Sequence, residues 1–300
     1  MTASVPESSS SNKTATLAQV IAHLNELYPP RLAEEWDKVG LSVGDVGTPV
    51  RKIYFALDAV TETITEALDW GADLMFTHHP FLFSPLDAVA TTTDRGHNVH
   101  RLIRGDCAVF SAHTNGDAAR GGVNDVLALA LGVRGTTPIV PLIDDDTLGL
   151  GRVGDLPAPV TLREFAEDVA RALPETAQGV RVAGDPTKEI SRVAVLGGSG
   201  GSMLNEAVKT GADVYVTSDL KHHDLVDFLE AQRNAHVIAG ASREEVDERT
   251  MAVVDVAHFA SESPWLATAA RAVQGVLAGA GFEVDVMVSD LSTDPWTFAQ

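Results

Sequence analysis

The 300-residue chain holds one cysteine, Cys107, so no internal disulfide and no Cys-x-x-Cys metal clasp can form. That usage fits a reducing compartment, and a cytoplasmic location is expected. Basic residues are also scarce: 22 Lys and Arg stand against 42 Asp and Glu, a formal net charge of −20. A surface that tracks phosphate backbones needs a basic footprint, so nucleic acid is not an expected partner. The longest apolar run, residues 126–133, is far below the roughly 18–20 residues of a spanning helix, and no membrane partner is expected. Residues 1–14 carry Ser8 to Ser11 without an apolar block and read as a disordered tail rather than a signal peptide. What remains is ordinary: 45 % hydrophobic and 21 % charged residues describe a globular chain able to bury a core.

Leu17, Val20, Ile21, Leu24 and Leu27 recur at helical spacing before Pro29-Pro30, which predicts a helix over 17–27. Residues 36–41 read as a loop entering a short strand. A strand over 53–57, a helix over 61–70 and a strand over 74–77 ending at His78-His79-Pro80 form a βαβ unit with parallel pairing. Gly71-Ala72-Asp73 and Thr77 return 140 residues later as Gly211-Ala212-Asp213 and Thr217 without a gap. Such an echo implies an α/β fold of two related lobes arising by internal duplication.

The expected layout is a tail over 1–14, a first lobe over 15–133, a connector over 134–185 and a second lobe over 186–300. The connector carries one helix, signalled by the capping-box pattern Thr161-Leu162-Arg163-Glu164 and the stripe Leu162, Phe165, Val169, Leu173. In the second lobe, 225–229 reads as helix, 236–239 as strand, 240–250 as a polar insertion and 252–256 as strand. A helix over 264–277 and a strand over 282–288 close it.

Histidines with nearby carboxylates stand after three predicted strands: His78-His79, His113 with Asp117, and His258 with Glu262. Strand ends in open α/β sheets form the ligand crevice. Imidazole with carboxylate suits Zn, Mn, Fe, Co or Ni rather than calcium. Adjacent residues on a strand face opposite ways, so His78 and His79 converge only if the chain turns at Pro80. His258 and Glu262 share a face if helical.

These runs, with Thr217-Ser218-Asp219-Leu220 and His222-His223, with Trp36-Asp37-Lys38-Val39-Gly40-Leu41 near the start and Leu291-Ser292-Thr293-Asp294-Pro295-Trp296 near the end, resemble the Nif-three-like dinuclear metal-centre family, whose members genomes label GTP cyclohydrolase 1 type 2 homologues. The resemblance implies two α/β lobes facing each other, two divalent metal ions in the cleft between them, and a toroidal homohexamer. It implies His78, His79, Asp117, His258 and Glu262 as ligands, Glu262 bridging, with His113 beside a bridging water. Asp219, His222 and His223 match other cleft residues of the family. Ser218 and Ala257 depart from its usual glycines, and 240–250 lengthens the second lobe.

Other features have simpler readings. Gly197-Gly198-Ser199-Gly200-Gly201 lacks the dinucleotide spacing and any Gly-Lys-Ser/Thr, and reads as a tight turn. His23, His97, His100 and His236 are expected to have no functional role, and Cys107 to be buried and inert. The expected activity is metal-dependent hydrolysis of a small nucleotide-like molecule, with His113 or His223 moving protons. The alternative is a metal-binding regulatory or interaction protein without turnover.

Overall fold

The computed structural model describes residues 13–300. The tail expected over 1–14 lies outside them except for Lys13 and Thr14, and Lys13 bridges to Phe282. Eleven strands build two main sheets: β1 Gly40–Val43, β2 Lys52–Ala56, β3 Leu74–Thr77, β4 Ala108–Ser111, β5 Arg134–Thr137, β6 Arg152–Thr161, β7 Arg181–Ala183, β8 Glu189–Ser199, β9 Val214–Ser218, β10 Ala252–Val256 and β11 Asp285–Val288. The first sheet runs β11-β2-β3-β4-β1 and the second β7-β10-β9-β8-β6-β5.

In each sheet the central three strands are parallel, so both faces must be covered. Strand periodicity divides the first sheet cleanly. Ile53, Phe55, Leu74, Phe76 and Phe110 pack against helices Leu17–Leu27 and Pro264–Gly279. Tyr54, Ala56, Met75 and Val109 face helices Thr61–Trp70 and Asp94–Arg104. The second sheet is sandwiched likewise, with Val193, Val195, Val214 and Val216 on one face and Ala194, Tyr215 and Val253 on the other. Among the described residues no helix is long and apolar enough to cross a membrane.

The Gly-Ala-Asp echo has a structural cause. Gly71 and Gly211 end their helices at φ +77 and +74, a left-handed turn that favours glycine. Asp73 Oδ2 then accepts from the amides of Arg51 and Lys52 at 2.7 and 2.9 Å. Asp213 Oδ2 accepts from those of Ser191 and Arg192, both at 2.8 Å. Each carboxylate thus clamps the entry of the neighbouring parallel strand, and Ile53 pairs with Leu74 as Val193 pairs with Val214.

Four expectations need correction. The strand expected at 282–288 to close the second lobe is β11, and it pairs in parallel with β2 of the first sheet. Helix Pro264–Gly279 goes with it, burying Trp265, Leu266, Ala269 and Val273 beside Leu17, Val20 and Leu24. Apolar pattern identifies a strand but not the sheet edge it joins, because pairing partners are remote in sequence. Residues 134–185 are not a separate connector: β5 and β6 form one side of the second sheet and β7 the opposite edge. Their helix Leu162–Ala172 has the expected capping box. The strand expected at 236–239 is instead the end of helix His222–Ile238, where Val237 and Ile238 are exposed. The insertion at 240–250 carries a helix of its own, Arg243–Arg249, with Ser242 and Glu245 as its capping box.

Replacing Asp213 with Ala removes two hydrogen bonds to a charged acceptor and orphans two amides. A loss of about 2–3 kcal/mol in urea unfolding is expected. Asp155→Ala, which breaks only the exposed pair to Arg192, should cost less than about 1 kcal/mol. Equal losses would refute the clamp.

Candidate metal centre

The carboxyl ends of the parallel strands of both sheets meet at one place. The chain turns sharply after β3, where the Thr77 hydroxyl donates to the His79 carbonyl at 2.9 Å. Both rings therefore enter the same cluster, with centroids 5.0 Å apart. His113 follows β4, and His258 opens the short helix His258–Glu262 after β10. One turn of that helix stacks Glu262 over His258, as the spacing predicted.

Each imidazole is held at Nδ1 by a fixed partner. His78 donates to the Ala112 carbonyl at 2.9 Å, His79 to Asp58 Oδ1 at 2.7 Å, His113 to Asp37 Oδ1 at 2.8 Å and His258 to Asp219 Oδ2 at 2.7 Å. With Nδ1 occupied as donor, the neutral ring presents a lone pair at Nε2, the arrangement that orients metal-bound histidines. The Nε2 atoms of His78, His79 and His258 point inward at Glu262. Its Oε2 lies 3.1 Å from His79 Nε2 and 3.1 Å from His258 Nε2, and those two nitrogens are 3.2 Å apart. Its Oε1 lies 3.5 Å from His78 Nε2, which is 3.8 Å from Asp117 Oδ1.

These spacings suit a cation. Ligands about 2.1 Å from a tetrahedral ion sit about 3.4 Å from one another. His78 Nε2, Asp117 Oδ1 and Glu262 Oε2 are buried without a hydrogen-bond partner, a costly arrangement unless something else satisfies them. Two donor groups overlap at His79: His78, His79 and His113 form one, and His79, His258 and Glu262 the other.

The glycine run supplies the space. Its first part is the irregular end of β8, where pairing with β9 shifts register after Val195, and the expected tight turn is confined to its end, where Gly201–Met203 form a 3-10 turn. Gly198 has φ +72, and a Cβ there would lie 2.3 Å from Glu262 Oε1 and 3.2 Å from His258 Nε2. Its amide donates to Ser261 Oγ at 2.9 Å. The Gly197 amide donates to Asn124 Oδ1, whose Nδ2 donates to the Asp117 carbonyl. The loop thus ties the segments carrying Asp117 and Glu262 together.

Against this geometry, the family model for Duf34/NIF3 (NGG1p interacting factor 3) matches residues 15–295. The chain belongs to the Duf34/NIF3 family. It is 41 % identical over 283 residues to a GTP cyclohydrolase 1 type 2 homolog of Streptomyces coelicolor, covering 94 % of this chain and 93 % of that one. A protein of Mycobacterium tuberculosis with the same name is 31 % identical over 386 aligned residues, covering 93 % and 96 %. Among solved structures, a Bacillus cereus protein related to NIF3 superposes with a TM-score of 0.84 at 26 % identity, covering 96 % of this chain and all of that one. A hypothetical protein of Staphylococcus aureus gives a TM-score of 0.81 at 26 % identity, with the same coverage.

In this NIF3-family chain, the five residues expected as ligands come together, with Asp117 at the far side of His78. His113 stands beside them, edge-on to the exposed Trp36. His222 and His223 do not join: both are exposed on the first turn of helix His222–Ile238, in neither donor group. Asp219 holds His258. Asp58 and Asp37 have equivalent posts that the spacing could not single out. An Asp at a strand end is common, and only the folded chain shows which imidazole it meets.

Charges follow from the geometry. Burial opposes protonation of His79 and His258, but Glu262 outweighs it and lifts them to about 10 and about 9. Burial raises Asp117 to about 7. Burial, with the charges of His78 and His79, lowers His113 below the ordinary histidine value in spite of Asp37, so it is neutral at pH 7.

Metal content per chain after dialysis tests these roles. It should fall in Glu262→Ala and Gly198→Ala, and hold in His113→Ala and Gly211→Ala. Gly211 has φ +74 and nothing within 4 Å of a Cβ, so its variant carries the same backbone strain without the intrusion. Retention in Glu262→Ala with loss in His113→Ala would reverse the ligand assignment. Equal content in the two glycine variants would remove Gly198's role.

Proposed function

We propose that this chain binds two divalent metal ions and hydrolyses a small nucleotide-like molecule. The observation that carries the proposal is how Glu262 divides its oxygens. His79 Nδ1 is committed to Asp58, so its Nε2 can serve one ion only. His79, His258 and Glu262 Oε2 would hold that ion, leaving His78, Asp117 and Glu262 Oε1 for a second. The donor set admits Zn, Mn, Fe, Co or Ni. Bound there, divalent ions supply Lewis acidity and lower the pKa of water.

The chain's own residues do the rest. His113 is neutral and hydrogen-bonded at Nδ1 to Asp37, so its Nε2 can accept a proton while Asp37 stabilises the imidazolium. Proton transfer is therefore assigned to His113. His223, the other candidate, is exposed on the first turn of helix His222–Ile238. The three central parallel strands have the same order in both sheets, and β2–β3 and β8–β9 share their register at the 140-residue offset, which supports an origin by internal duplication. The NIF3 family resemblance supports a toroidal homohexamer.

Metal-loaded protein assayed against nucleotides, cyclic purine derivatives and phosphodiesters should turn over at least one substrate well above a His258→Ala blank. No turnover with any of these metals would favour a binding or regulatory protein instead. Light scattering should return six times the 31.7 kDa chain mass, and a monomer at micromolar concentration with metal present would refute the ring.

A further inference from the structure

The histidines of the centre are aimed by their Nδ1 partners, and those partners are not held alike. His78 donates to the Ala112 carbonyl, which the backbone fixes. Asp219, the partner of His258, is exposed to solvent. Asp37 and Asp58, the partners of His113 and His79, are better shielded, at 0 and 28 % exposure. The last torsion of an aspartate is broad, so one hydrogen bond does not hold the plane of its carboxylate. Each of these two has a threonine hydroxyl on its second oxygen: Thr114 donates to Asp37 Oδ2, and Thr293 donates to Asp58 Oδ2.

Thr114 adjoins His113, so the first clamp is local. Thr293 reaches Asp58 from 235 positions along the chain, and strand β11 delivers it. Val288 lies opposite Phe55 of β2, and the Ser289 amide extends the pairing to the Phe55 carbonyl at 2.8 Å. Ser289 Oγ then donates to Glu66 Oε2 at 2.8 Å and accepts from the Leu291 amide at 3.2 Å, which turns the chain across the end of β2. The backbone around Asp58 is fixed without this segment. The His79 amide donates to the Leu57 carbonyl at 3.0 Å, and the Thr63 hydroxyl donates to the Asp58 carbonyl at 2.7 Å. What Thr293 adds is the orientation of the carboxylate.

We propose that Thr293 is a positioning residue of the metal centre: its hydroxyl locks the Asp58 carboxylate, which aims His79 Nε2 at the ion shared with His258 and Glu262. The C-terminal segment thereby completes the centre although none of its residues stands in either donor group. The inference rests on the two-ion reading above and sharpens it. His79 can serve one ion only, so Thr293 governs one ion and leaves the ion of His78 and Asp117 in place. Partners that orient a metal-bound histidine commonly carry about 10–100-fold of metal affinity.

Cobalt(II), titrated into the full chain by calorimetry and visible absorption, tests this role. Thr293→Val keeps the side chain's shape without the donor, and should weaken one of two ions about tenfold or more while altering that ion's absorption. Thr293→Ser restores a hydroxyl and should return both. Thr114→Val makes the same change beside His113, which is no ligand, so both ions should bind as in the wild type. A stability loss common to the two valine variants, read by thermal unfolding without metal, could not explain an ion lost from only one of them. The second readout needs no metal. The His79 Nδ1 proton, identified in the proton NMR spectrum by its loss in His79→Gln, should be sharp in the wild type, broad in Thr293→Val and sharp again in Thr293→Ser. If the wild type takes up fewer than two ions, the two-ion reading fails and this signal alone decides the positioning role. Wild-type cobalt affinities in Thr293→Val, equal losses in Thr293→Val and Thr114→Val, or a His79 proton that is unseen in the wild type or unchanged in Thr293→Val would overturn the proposal.

Discussion

A carboxylate only 3 % exposed, placed where the imidazoles of His78, His79 and His258 converge, governs this structure. Burying an anion is costly unless partners compensate it on every side. Burial alone would push Glu262 up, yet His78 and His79 hold it well below the usual carboxylate range. Compensation comes from both sheets at once, because His78 and His79 end β3 while His258 follows β10. Any shift of one sheet against the other uncovers the charge. The packing of the two sheets and the electrostatics of one residue are therefore a single problem with a shared solution.

That solution is carried by the loops that surround it. Asp58 follows β2, Ala112 follows β4 and Asp219 follows β9, so successive parallel strands each deliver one orienting group to a ring from another segment. Asp219 does so from φ +58, a conformation that a non-glycine residue adopts at some cost and that recurs where function over-determines the backbone. The Gly198 amide and the side chains of Asn124 and Ser261 close the arrangement from below. Rotating any imidazole would break an Nδ1 bond before it moved a ligand atom, which is how a loop-built site reaches the precision of one built on regular elements.

Much of this was legible in the residues. Histidines directly after apolar strands, a His-x-x-x-Glu spacing and the Gly-Ala-Asp echo each have a local physical cause. The donor cluster and the matched registers lie where those signals placed them. What was not legible depends on remote pairing. The Val284, Val286, Val288 alternation marks a strand, but nothing local says that its partner is β2 rather than a strand nearer in sequence. Val237 and Ile238 looked like strand because they are apolar, yet they lie on an exposed helix end. Asp58 carries no signature of its own, since its role comes from what the fold sets opposite it.

The return of the chain to the first sheet changes how the centre must be understood. Read linearly, His258 and Glu262 belong to one lobe and His78, His79 and Asp117 to another, so bound ions would staple two bodies. In the structure Glu262 stands three residues before Trp265, whose buried ring packs on Phe76, Tyr28 and His78, with centroids 5.8, 5.3 and 5.4 Å away. Glu262 is thus anchored through the chain to the core that carries the histidines facing it. Helix Val123–Ala130 adds a second tie, with Val123 in the first core and Leu127 and Ala128 in the second. Apolar burial on both sides of the cluster sets its donor atoms within 3.1–3.8 Å of one another. Hydrophobic packing of one C-terminal helix is what fixes the buried carboxylate against imidazoles from both sheets.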